Sequence, residues 1–132
     1  MVANAERGEI DIVLGKKRRV LRPSYEAVMT IETLTGRSLR ELAQMANAMT
    51  MPIATMAVVV AELIRAGAAD DDIGGKQGEP EVWGKLIYEA GMPAIAARLT
   101  VVLTAALTGG ATISGELKPV ATTKGIATAT GD

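Results

Sequence analysis

Apolar and polar residues first alternate along Glu9-Ile10-Asp11-Ile12-Val13-Leu14, which puts Ile10, Ile12 and Leu14 on one strand face and Glu9 and Asp11 on the other. Gly15-Lys16 can turn the chain, and the next residues carry Val20 and Leu21, so the pattern predicts a hairpin over residues 9–22. Two strands alone are marginal in water. The hairpin must therefore lean on helices or pair with another chain.

The period turns helical after Pro23. Ser24 is placed to cap a helix over residues 24–35, with Val28, Ile31 and Leu34 as its apolar stripe and Gly36 as its stop. Ser38-Leu39-Arg40-Glu41 reads as a capping box opening residues 38–48, whose inner positions are Leu39, Leu42, Ala43 and Ala46. Thr50 and Pro52 start a third helix over 51–66, in which Ile53, Met56, Val60, Leu63 and Ile64 share a face and Gly67 is the stop. Residues 68–79, rich in Gly and Asp, read as a loop. Glu79-Pro80 restarts a helix over 80–90, and Pro93 opens a last one over 93–108. The expected fold is α+β and mostly α. A single domain over 1–110 holds the hairpin and about five short helices, followed by a flexible, low-complexity tail over 111–132.

Composition sharpens this picture. A chain of 132 residues with 48% apolar and 22% charged residues fits one globular domain. Its aromatics are Trp83, Tyr25 and Tyr88, with no Phe, so aliphatic residues and seven Met must fill the core. There is no Cys and no His, which removes thiol nucleophiles, disulfides, most zinc sites and the commonest general base. No catalytic, cofactor or metal site is expected. A net charge of -1 gives no general attraction to nucleic acid or anionic membrane. The stretch from Arg98 to Glu116 is too polar to span a bilayer, and the first residues lack an apolar signal region. A cytoplasmic location is the expectation.

Local patterns supply few alternatives. Asp70, Asp72, Gly75 and Glu81 match part of a calcium-loop spacing, but Gly74 stands where a fifth-position oxygen is needed. The same acidic residues serve equally as a helix-capping connector. Lys16, Lys17, Arg18, Arg19 and Arg22 form a basic cluster without interleaved aromatics, which suits a solvated edge strand better than a nucleic-acid patch. Gly75-Lys76-Gln77 lacks the remainder of a phosphate loop, and Asp70-Asp71-Asp72 has no apolar neighbours to raise a carboxyl pKa. Met45, Met49, Met51 and Met56 fill a core or line an adaptable groove. The run Val58-Val59-Val60 makes the third helix apolar nearly all round, so it is either deeply buried or covered by a partner. The reading taken is a partner surface at Met45, Met49, Met56 and Val59.

The order of parts carries a resemblance. The hairpin is followed by Arg22-Pro23-Ser24-Tyr25-Glu26-Ala27 and by Ile31-Glu32-Thr33-Leu34-Thr35-Gly36-Arg37-Ser38-Leu39. Later come Glu81-Val82-Trp83-Gly84-Lys85-Leu86-Ile87-Tyr88-Glu89-Ala90-Gly91-Met92 and an Ala-rich helix ending Leu103-Thr104-Ala105-Ala106-Leu107-Thr108-Gly109-Gly110. From about Arg7 to Gly110 this resembles the small tail proteins of gene transfer agents and lambda-like siphophages, grouped with the tail assembly chaperones. The resemblance implies a non-catalytic protein acting in tail assembly, with the tape measure protein or other tail proteins as partners. It also implies a location in the host cell or on the virion. A structural tail component and a nucleic-acid-associated regulator using the basic hairpin are the alternatives. The hairpin's open edges add the expectation of a homo-oligomer, unless the Lys and Arg cluster blocks them.

Overall fold

Strand β1, Ile10–Leu14, pairs antiparallel with β2, Lys17–Leu21. The computed structural model describes residues 10–108. Gly15 and Lys16 both adopt positive φ, which matches the turn to the right-handed twist of the strands. Ile12, Leu14 and Leu21 point inward and are buried, while Val13 on the opposite face is exposed. The amide of Arg22 donates to the Leu63 carbonyl at 3.1 Å, which ties the end of β2 to the helical layer.

Helix α1, Tyr25–Thr35, begins where Ser24 Oγ accepts from the Ala27 amide and ends at Gly36 in the left-handed region. Helix α2, Leu39–Ala48, begins where Ser38 accepts from the Glu41 amide and ends at Met49, again left-handed. The chain bends by 119° into α3, Ile53–Gly67. Its sequence is apolar on nearly every side because α3 runs through the middle of the molecule. Met56, Ala57, Val59, Val60, Ala61, Leu63 and Ile64 are all buried. Helices α1 and α5 and strand β2 pack around α3, while α2 packs mainly on α6.

The stretch expected to be a loop contains helix α4, Ile73–Gln77. Asp72 caps its start by accepting from the Gly75 amide. Arg65 of α3 closes its end, with Nε donating to the Lys76 carbonyl at 3.0 Å and an Nη atom donating to Gly78 O at 3.3 Å. Five residues containing Gly74 and Gly75 have little intrinsic tendency to form a helix. The short helix exists because Arg65 of α3 satisfies its end and Arg19 of β2 holds its Asp72 cap in place, and local sequence patterns do not record those two contacts.

Helices α5, Pro80–Ala90, and α6, Met92–Leu107, meet at Gly91 with a bend of 117°. There are thus six helices among the described residues, rather than about five. The third starts at Ile53 behind an extended Pro52, two residues later than expected, and runs on to Gly67. The last starts at Met92 and ends at Leu107. No single helix among the described residues is long and apolar enough to cross a membrane. The tail expected over 111–132 lies outside the described residues.

Candidate partner-binding groove

One side of α3 remains uncovered. Ile53, Ala54, Ala57 and Val58 of α3 line an open groove of about 660 Å³, whose other wall is α5, with Pro80, Gly84 and Tyr88. Gly84 and Ala57 keep its floor low, since a Cβ at Gly84 would touch the Ala57 Cβ at 3.4 Å. Tyr88 is 76% exposed at the groove wall. Charge runs along the α5 side as Glu81, Lys85 and Glu89, with Lys85 Nζ 3.8 Å from Glu81. An apolar floor with a charged rim suits the apolar stripe of an amphipathic helix.

The structure divides the residues expected to bind a partner. Met56 and Val59 are 2% and 0% exposed and belong to the core, so neither can offer a surface. They lie on the inner side of α3, away from the groove. Met45 is half-buried against the core, and Met49 is exposed at the corner after α2. The open apolar surface is instead formed by Ile53, Ala54 and Val58 together with α5, with the buried Ala57 beneath it. Its signal in the sequence was the pairing of small residues, Ala54 and Ala57 on one helix and Gly84 on the other.

The basic cluster is also divided. Arg18 is ion-paired with Asp11 across the hairpin. Arg19 turns inward, with its guanidinium carbon 5.0 Å from the Trp83 ring centroid and Nη1 donating to Asp72 Oδ2 at 2.9 Å. Arg22 is half-buried beside α1 and α3. Lys16 and Lys17 remain exposed at the turn. The cluster does not form a single basic face.

Asp72, a candidate calcium ligand, is fully engaged: Oδ1 accepts from the Gly75 amide at 3.1 Å and Oδ2 accepts from Arg19. The Gly75 hydrogen bond, and then the nearby Arg19 charge, hold its carboxyl below the usual carboxylate range against the opposing effect of partial burial. Asp70 is exposed and reaches Lys76 at 3.6 Å, while Glu81 sits in the first turn of α5. No group of three or more potential metal ligands converges among the described residues.

No curated protein and no solved structure matched the chain. A family model described as phage tail tube protein, GTA-gp10, matches residues 7–109. That span takes in the hairpin, all six helices and both walls of the groove. The chain belongs to this family of structural tail proteins of phages and gene transfer agents.

Proposed function

We propose that this tail protein acts during assembly, holding an amphipathic helical segment of the tape measure protein in the groove between α3 and α5. The observation that carries this reading is the groove itself, in which Ile53, Ala54 and Val58 are left open above the buried Ala57 in a helical molecule. A helix laid there would cover apolar surface that α3 cannot bury against its own domain. The family description favours a second role, as a subunit of the tail tube. The two described strands have five residues each and span roughly 17 Å, which favours a helical partner-binder over a subunit whose wall is a large sheet. The basic hairpin gives less support to a nucleic-acid role, since Arg18 and Arg19 already have acidic partners.

Co-expression with the tape measure protein tests the proposal. Recovery of a soluble complex that is lost on Val58→Glu, with an unchanged melting temperature, is the expected result. A tape measure protein that stays insoluble, or a complex indifferent to Val58→Glu, overturns it.

A further inference from the structure

Among the described residues, strand β1 has a partner on one edge only. Among the described residues the sheet contains just β1 and β2, with Leu14 opposite Lys17 across the two-residue turn. That turn has φ of +59° at Gly15 and +67° at Lys16, the geometry in which the flanking residues form a hydrogen-bonded pair. Alternation makes Ile12–Arg19 and Ile10–Leu21 the next such pairs and turns the backbone groups of Asp11 and Val13 away from β2. Among the described residues neither makes a backbone hydrogen bond outside the hairpin.

This edge is accessible. It borders a trough of about 340 Å³ that has Asp11 and Val13 on one side and Ala90, Ala94 and Arg98 on the other. Val13 is 55% exposed beside it. The lysines and arginines that would discourage edge pairing are on β2 and its turn, and the end of β2 is tied to α3 at Leu63. Strand β1 itself carries no lysine or arginine, and across the trough the cation facing its edge is Arg98.

We propose that β1 pairs antiparallel with β1 of a second copy of this chain, about a twofold axis at Ile12, to give a four-stranded sheet. The sequence of β1 is self-complementary in that register. Full overlap sets Ile10 against the second copy's Leu14, Ile12 against Ile12, and Leu14 against Ile10, so every pair on the core face is apolar. On the other face each Asp11 meets the second copy's Val13. These are the residues with outward amides and carbonyls, so they become the hydrogen-bonded pairs across the interface. The Arg18 paired with Val13 in β2 then stands in the same row as the second copy's Asp11. A slip by one residue would set the core face of one strand against the solvent face of the other. This pairing does not depend on the tape measure partner, and the full chain alone tests it.

Sedimentation of the purified chain should show a dimer, and Val13→Lys should shift it to monomer while the helical circular dichroism is retained. The chain has no cysteine, so single cysteines report register cleanly. Oxidising a mixture of the Asp11→Cys and Val13→Cys variants should give a mixed disulfide dimer in at least tenfold excess over either same-variant dimer. A monomer at every concentration, a dimer that survives Val13→Lys, or cross-links without preference for the mixed pair would each overturn the proposal.

Discussion

Arg19 stacks on Trp83, bringing a β2 cation over an α5 ring with its guanidinium carbon 5.0 Å from the ring centroid. Its donation to Asp72 at 2.9 Å adds the cap of α4 to the same contact. One side chain thus joins the hairpin, the connector and α5. Only 12% of that side chain is exposed, so solvent screening is limited. Arg19→Ala should destabilise the fold by about 2–3 kcal/mol, combining a desolvated cation–π contact and a charged hydrogen bond. Arg19→Lys should recover only part, because an ammonium cannot stack and donate as the planar guanidinium does. Denaturant unfolding measures both, and a loss below about 0.5 kcal/mol for Arg19→Ala, the ordinary range of a surface change, contradicts this role.

Asp72 gives the molecule a predictable response to acid. Its folded pKa is lowered, by the Gly75 hydrogen bond first and the Arg19 charge after it. The stabilisation is therefore complete above the unfolded carboxyl value of about 3.9 and is lost as pH falls through the lower folded value. Asp72→Asn should lower the melting temperature at neutral pH and lose less than the wild type below pH about 4. Melting curves across pH check this, and parallel acid limbs for the two proteins would count against it.

Gly67 is fixed by close approach. A Cβ there would lie 2.4 Å from the Val20 carbonyl oxygen and 3.0 Å from its carbon, and backbone cannot swing aside as a side chain end can. Gly67→Ala should push β2 off α3 and cost about 2–4 kcal/mol. Gly36→Ala meets nothing within 4 Å but must adopt φ of +68°. It should cost only about 1–2 kcal/mol, the penalty of the left-handed conformation. Denaturant midpoints that rank the two the other way would refute the packing argument.

The two exposed-or-buried methionines separate as well. Met56→Gln places an amide in the core and should cost about 2–4 kcal/mol. Met49→Gly, at the left-handed end of α2 with φ of 60°, should gain up to about 1 kcal/mol by relieving backbone strain. Thermal melts of the single variants decide. A stable Met56→Gln protein would mean that the inner face of α3 is not packed as described.

Much of this fold was legible in local signals. Ser24 and Ser38 both cap the helices they precede, and Gly15-Lys16 turns the hairpin, because capping and turn chemistry act over a few residues. Helix α4 was not legible, since Arg65 of α3 holds its end and Arg19 reaches its Asp72 cap from β2. Periodicity also could not rank the sides of α3. With Val58, Val59 and Val60 in a row, only the packing of α5 shows that Val58 borders the groove while Val59 and Val60 are buried. The expectation of a surface at Met56 and Val59 therefore fell on the buried side of α3.

The proposed hold of α3 and α5 on a helix of the tape measure protein rests on the groove that Val58 borders. The most direct measurement is co-purification of a tape measure protein with the wild-type chain and with Val58→Glu, their melting temperatures compared in parallel. A groove that holds the tape measure helix gives a stoichiometric complex with the wild type and none with an equally stable Val58→Glu chain. Equal recovery of the tape measure protein with both chains, or with neither, would contradict it.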